Sequence, residues 1–264
     1  MTGGQATSAQ TTSAATPALA TRGLSRSWGA FKANSDIDLS LPVGARHALI
    51  GPNGAGKTTF INLLTGVVPP SSGEVFLGTE NITRVSQEER VRKGLARTFQ
   101  INNLFPGLTV LESIVLTILE RKNLTRRWFR PVARYREEIE EACALAADLH
   151  LDDRLDEEVR TLPYGKQRLL EIVLALATRP KILLLDEPAA GIPSGESMEV
   201  FNVIAKLPAD VTILFIEHDM DLVMRFADRI TVLVGGRVLT EGSPQAITSD
   251  PRVREVYLGE ADHG

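Results

Sequence analysis

Two stretches carry residues whose types and spacing could do chemistry: GPNGAGKTT at Gly51 to Thr59, and KILLLDEP at Lys181 to Pro188. The first satisfies G-x-x-x-x-G-K-[ST], in which glycines let a loop turn its backbone N–H groups onto phosphate oxygens. Asn53, Gly54, Ala55, Gly56, Lys57, Thr58 and Thr59 then form the expected phosphate cradle. Lys57 would reach the β- and γ-phosphates, and the Thr58 hydroxyl would hold Mg²⁺. A random chain of this size would match the pattern about once in a hundred. Its flanks strengthen it, because Arg46 to Ile50 (RHALI) reads as a strand and Thr58 to Leu64 as a helix start, whose dipole favours the same negative charge.

The second stretch places two carboxylates at the C-terminal end of a hydrophobic strand, the edge of an α/β sheet where ligands bind. Asp186 would hold Mg²⁺ through water, and Glu187 would act as general base on the attacking water. His218 ends another apolar strand, in IEHD, on the same edge, where it could contact a γ-phosphate. Gln100, in ARTFQ, has an amide donor and acceptor suited to touching metal or water. The bland alternatives are a charged turn for the acids and a satisfied or surface histidine for His218. For Gln100, spacing weighs a role and none evenly.

These residues need a scaffold. Asp36 to Leu41 alternates apolar and polar residues, and Val75 to Leu77 is another short strand, so the chain starts β-rich. Val110 to Glu120, Glu137 to Leu149 and Lys166 to Thr178 follow a 3.6-residue period, an all-helical block between about 91 and 176. Ile182 to Leu185, Val211 to Ile216 and Ile230 to Val234 are continuous apolar strands, as in a parallel sheet buried on both faces, and Gly235-Gly236 makes a hairpin turn into Arg237 to Leu239. The fold class expected is α/β: a P-loop core with a parallel sheet, an antiparallel portion and an inserted helical subdomain.

Bulk properties bound the function. The 264 residues are 43% hydrophobic, enough for a full core, and the net charge of −4 carries no basic excess for nucleic acid. The single cysteine, Cys143, excludes an internal disulfide and reads as a small buried hydrophobe on a helix. No apolar run reaches the roughly 18 residues that span a bilayer, so membrane association would come through a partner. Residues 1–21 are read as a disordered tail without secretory character, and 22–262 as a single domain. Arg126 to Arg130 (RRWFR) reads as a solvated basic and aromatic loop.

The P-loop, Gln100, LPYGKQ at Leu162 to Gln167, LLLDEP and His218, in that order around a helical block, resemble the ATPase subunit of ABC transporters over about Arg22 to Glu260. ARTFQINNLFPGLTVLES, the Tyr-Gly signature, DEPAAG, EHDMDLV and VREVYLGE are similar to importer ATPases of the branched-chain amino-acid type. The ATPase of lipopolysaccharide export is also similar, but usually keeps Ser-Gly-Gly in the signature.

The resemblance implies ATP and Mg²⁺ as cofactors and a head-to-tail dimer with a second ATPase subunit, of the same or a related chain. Leu162, Pro163, Tyr164, Gly165 and Lys166 would face the partner's ATP. It also implies integral membrane permease subunits, met near Gln100, a place on the cytoplasmic face of the cell membrane, and no nucleic acid. Trp28 falls where the family stacks an aromatic on adenine; packing under the first strand competes. Two places depart from the pattern. In the signature, Tyr164 replaces the first glycine, and Pro163 replaces a serine and removes an N–H as well as a hydroxyl, about 1.5–3 kcal/mol or roughly 10- to 150-fold in rate if felt only in the transition state. Pro193 stands where an Asp or Asn usually links the two ATP sites. A soluble ATPase acting on ribosomes or DNA, or a weakly hydrolysing regulatory subunit, are the competing classes.

Overall fold

The computed structural model describes residues 16–98, 104–124 and 135–258. Strands β1 (Leu19–Trp28), β2 (Phe31–Leu41), β4 (Ser72–Leu77) and β5 (Glu80–Asn81) form an antiparallel sheet in the order β2-β1-β4-β5. A second sheet has the order β10-β9-β3-β8-β7-β6. In it β3 (Arg46–Ile50), β6 (Leu95–Arg97), β7 (Ile182–Asp186), β8 (Thr212–Ile216) and β9 (Arg229–Val234) run parallel, while β10 (Arg237–Gly242) returns antiparallel. Gly235 and Gly236 make that return with φ of 54° and 77°, values that glycine adopts without steric cost.

Alternation along the parallel strands divides the core in two. Leu49, Leu184, Leu214 and Ile216 face the antiparallel sheet and pack with Leu19, Leu39 and Val75. Helix α1 (Lys57–Thr65) lies in that layer through Phe60, Ile61, Leu63 and Leu64, all essentially buried. Ile50, Leu183, Leu185, Ile213 and Phe215 face the other way, toward helices.

That helical layer contains α3 (Val110–Arg121), α4 (Arg136–Asp148) and α5 (Tyr164–Ala177). Thr109 and Glu112 form a reciprocal capping box at the start of α3. At the other end of α3, Arg121 donates to Glu141 of α4 at 2.9 Å and to the Ala177 carbonyl of α5 at 2.7 Å, so one guanidinium joins three helices. The helices α6 (Ser194–Ala205), α7 (Met220–Phe226), α8 (Pro244–Ser249) and α9 (Pro251–Leu258) complete the chain, after the short α2 (Gln87–Arg92).

Three expectations differ in detail. Strand β1 starts at Leu19, inside the stretch read as tail, because Leu19 pairs with Leu41 and Leu77 and is wholly buried, a long-range contact that local composition hides. Strand β6 lies within residues 91–176 yet joins the edge of the parallel sheet, being too short at three residues to show a period. Cys143 is on α4 but only half-buried. The loop Arg126 to Arg130 lies outside the described residues.

Arg90 is 1% exposed and donates to the carbonyls of Leu63, Leu64, Thr83 and Val85 at 2.6–3.0 Å. It therefore satisfies the Leu64 carbonyl, which the C-terminal turn of α1 leaves open, and reinforces Leu63, whose carbonyl also accepts the Gly66 N–H at 3.3 Å, with a cation at the dipole's negative end. Arg90→Met keeps volume but orphans the carbonyls of Leu64, Thr83 and Val85, and should cost about 2–4 kcal/mol. The urea midpoint measures it; an unchanged midpoint would show that water replaces the guanidinium.

Candidate active site

The phosphate loop, Asp186, Glu187 and His218 converge on the carboxyl edge of the parallel sheet. Leu49 of β3 and Asp186 of β7 are both in register with Ile216 of β8, so the three strands end level. The loops that follow them carry Gly51 to Gly56, Glu187, and His218.

The loop after β3 has glycines where nothing larger fits. A Cβ on Gly56 (φ 97°) would lie 2.3 Å from the Ala33 carbonyl oxygen, and one on Gly51 (φ 154°) 2.1 Å from that of Leu233. Gly54 (φ 76°) has open space around it. Gly56 is the N-cap of α1, with no side chain capping the helix and no acid in its first turn. The first N–H groups of the helix therefore lie open to an anion, with nothing negative in competition. Asn53 and Thr58 are exposed beside them, Ala55 is buried, and Thr59 is half-buried. The Lys57 ammonium lies over the loop, 2.6 Å from the Gly51 carbonyl oxygen and 3.0 Å from that of Pro52. From behind, Asn34 of β2 donates its amide to the Gly56 carbonyl at 3.2 Å.

Thr58, Asp186 and Glu187 line one cavity of ≈ 620 Å³ together with Asn62, Arg97 and Arg168. Asp186 accepts from the Arg97 guanidinium at 2.5 Å, and Arg97 also donates to Asn62 of α1 at 2.8 Å. A hydroxyl and a carboxylate beside a phosphate-type loop are the hard oxygen donors that Mg²⁺ takes, with phosphate and water oxygens completing the shell. The described residues contain no cluster of three His, Cys, Asp or Glu that could hold a metal alone.

Glu187 has φ 50°, a left-handed conformation that costs a non-glycine residue roughly 1–2 kcal/mol. Its N–H donates to the Ile216 carbonyl at 3.0 Å, and its carboxylate lies 2.7 Å from His218 Nε2. Both side chains are partly open to solvent, at 39% and 47%. The pair joins an acid and an imidazole at the sheet edge, a geometry able to orient water and pass a proton.

Trp28 is 45% exposed, so it does not pack under the first strand. It pairs across the hairpin with Phe31, and the Arg26 guanidinium sits 4.8 Å from its ring centre. Phe31 is two residues, roughly 7 Å, from the Ala33 carbonyl that touches Gly56. The hairpin tip thus lies two residues along the chain from the stretch that abuts the loop.

The signature segment opens α5, on the helical layer. Pro163 is the N-cap, and its carbonyl accepts from Lys166 and Gln167 at 2.9 and 3.0 Å. Leu162 is buried and Gly165 buried, while Tyr164 is 43% exposed and packs its ring against Gly191, where a Cβ would stand 3.2 Å away. The Lys166 ammonium is held within the chain by the His150 carbonyl at 3.1 Å and Glu199 at 3.3 Å. Gln100 lies outside the described residues.

Sequence reasoning passed over Arg97, Arg168 and Glu171. Arg168 reaches the cavity from α5 while donating to Glu171 at 2.9 Å. Glu171 is 1% exposed, and one of its oxygens and Arg168 Nε have no partner. A charged pair on the buried face of an apolar helix, QRLLEIV, was the signal available.

The fold and this edge define a P-loop cassette that binds nucleotide. Residues 34–190 match the ABC transporter family model, and residues 237–263 match that of the branched-chain amino acid ATP-binding cassette transporter. The chain is 39% identical over 90% of its length to the high-affinity branched-chain amino acid transport ATP-binding protein BraF of Pseudomonas aeruginosa, covering 96% of that protein. LivG of Escherichia coli K12, with the same description, is 38% identical at the same coverage. Among solved structures, a nucleotide-free ATP-binding cassette superposes with TM-score 0.81 at 32% identity, covering 91% of this chain and 98% of that one. A cassette in its ADP conformation gives 0.82 at 32%, covering 92% and 99%. The chain belongs to the ABC transporter family, as an ATP-hydrolysing, ATP-binding subunit.

Burial pushes the Glu171 carboxyl from its ordinary 4.5 up to about 7, against the opposing pull of Arg168. The folded state then holds a proton that the unfolded chain has released, so stability falls as pH rises across that window. Glu171→Gln should flatten this slope. Denaturation midpoints at about pH 5 and pH 8 check it; an unchanged slope would mean Glu171 is ionised throughout.

Proposed function

We propose that this chain hydrolyses ATP to energise a membrane importer for branched-chain amino acids or closely related small solutes. It would work as a peripheral subunit on the cytoplasmic face of the membrane. The observation that carries the catalytic part is the 2.7 Å Glu187–His218 pair, set level with the phosphate loop. The names and coverage of BraF and LivG support the solute class.

In this reading the open N–H groups of Gly54 and of Gly56 to Thr59, with the Lys57 ammonium, bind the β- and γ-phosphates, while the Ala55 N–H closes the loop onto the Pro52 carbonyl at 3.1 Å. The Thr58 hydroxyl and Asp186, aided by Gln100, hold Mg²⁺, which when bound neutralises charge developing on the phosphoryl oxygens. Glu187 takes the proton of the attacking water, and His218 orients Glu187 and contacts the γ-phosphate. Trp28 stacks on adenine through its exposed face. Pro163 to Lys166 present the N-terminus of α5 to the nucleotide of a second ATPase subunit. Tyr164 and Gly165 supply the N–H groups there, since Pro163 has none and the Lys166 N–H is bound to Pro163.

Among the described residues no helix is long and apolar enough to cross a membrane; attachment through permease subunits is part of this proposal. Dimeric cassettes at 23% identity share the fold, and the second ATPase subunit is part of this proposal.

Glu187→Gln should retain nucleotide binding and lower ATP turnover about 10²- to 10⁴-fold. Steady-state phosphate release, with affinity for a fluorescent ATP analogue measured alongside, tests the assigned base; undiminished turnover would refute it. The same variant, captured with ATP from host membranes, should bring down integral permease subunits. Recovery of only ribosomes or nucleic acid, under conditions that preserve membrane complexes, would overturn the transport role.

A further inference from the structure

Immediately before His218 stands a carboxylate that the chemistry above does not use. Glu217 is 5% exposed and continues the wholly buried strand β8. One of its oxygens accepts the Ala189 N–H at 2.9 Å, and the other accepts the His218 N–H at 3.1 Å. Ala189 lies two residues beyond Glu187. A single buried group therefore spans the two segments whose side chains meet at the sheet edge, one carrying Glu187 and the other carrying His218.

These segments come from different strands, and chain connectivity does nothing to hold them at a set distance. The Glu187 N–H to Ile216 carbonyl bond fixes the start of the Glu187 loop. Beyond it the loop turns through the left-handed conformation of Glu187, which persists only where its surroundings over-determine it. The Ala190 N–H to Glu187 carbonyl bond, at 3.0 Å, closes that turn locally but does not reach the next strand. Glu217 does reach across. Both of its oxygens are committed to backbone donors, so it cannot swing toward the cavity without abandoning them. Burial raises its pKa, while the N–H groups of Ala189, His218 and Asp219 pull the other way and the Glu187 charge adds to the rise. A carboxylate kept here against desolvation is an expensive way to fill space, and an apolar side chain would fill it without that penalty.

We infer that Glu217 is a positioning residue for ATP hydrolysis. Its bond to the Ala189 N–H ties the loop after Glu187 to the strand end bearing His218, its bond to the adjacent His218 N–H fixes the orientation of the carboxylate that makes that tie, and together they set the contact between those two side chains without touching nucleotide. The inference rests on the assignment of Glu187 and His218 as the hydrolytic pair. An amide at this position keeps the shape but turns an NH₂ toward a backbone N–H. One of the two bonds must then break, and the loop shifts relative to the strand. Misplacement on the order of 1 Å can cost about 10²-fold in rate.

The test compares Glu217→Gln with the unaltered protein and with Glu187→Gln. Each is assayed for kcat and KM of ATP hydrolysis, affinity for a fluorescent ATP analogue, and thermal midpoint. Glu217→Gln should lower kcat about 10- to 100-fold, with KM and analogue affinity within twofold, because the phosphate loop and Trp28 are untouched. A kcat that holds while the midpoint falls would make Glu217 a stability residue only and overturn the inference. So would a loss appearing in KM or in analogue affinity. Should Glu217→Gln fail to fold, Glu217→Asp, which retains the charge but is one methylene short of spanning both donors, is judged by the same criteria. If the unaltered protein fails to hydrolyse ATP, or Glu187→Gln hydrolyses it normally, the underlying assignment falls. If Glu187→Gln is impaired and Glu217→Gln is not, only the role of Glu217 falls.

Discussion

The register of three parallel strands governs the site. Leu49, Ile216 and Asp186 stand level across β3, β8 and β7. Shifting one strand by a single residue would exchange its two faces, moving Leu184 or Leu214 into the opposite core layer, whose close-packed neighbours fit a different set of side chains. Hydrophobic burial on both faces thus locks the register. Locking the register in turn brings a phosphate loop, a carboxylate pair and an imidazole to one edge. The chemistry inherits its precision from packing some distance away.

Helix α1 makes the second link between packing and chemistry. Its apolar side chains lie between the two sheets, so its axis is fixed from both sides. Its ends are treated oppositely. Arg90 places a buried cation against the C-terminal carbonyls, while glycines and hydroxyl residues leave the N-terminus uncapped. The helix is satisfied where it serves only structure and left unsatisfied where phosphate charge is to bind. Asn34 and the close approach of Ala33 to Gly56 bring the antiparallel sheet into this arrangement. That sheet also ends in the Trp28 hairpin, so one element supports the phosphate loop and offers an aromatic surface beside it.

Tyr164 gives the departures in the signature a physical setting. Its ring covers Gly191, in the loop that continues from Glu187, and its hydroxyl lies 3.4 Å from Arg168, which lines the cavity. Two glycines in this position could make neither contact. The start of α5 and the loop after Glu187 are therefore packed together within one chain, next to Pro193, the second departure. Glu217 fastens the same loop two residues earlier, at Ala189.

Much of this was legible in order along the chain. GPNGAGKTT declared a strand, loop and helix because glycine spacing and a following Lys-Thr encode a local structure, and the continuous apolar runs before Asp186 and His218 announced buried parallel strands. Local sequence could not reveal β6, which is three residues long, or Leu19, whose burial depends on partners more than twenty residues away. Nor could it show Trp28 to be exposed, or distinguish Glu217 from an ordinary acid ending a strand. Residue type and spacing determined which groups can bind phosphate, hold a cation and take a proton, since those capacities are intrinsic to the side chains. Which of them meet, and which buried acid holds the others apart or together, was decided by tertiary structure, because hydrogen bonds between segments 28 or more residues apart exist only once both faces of the sheet are packed.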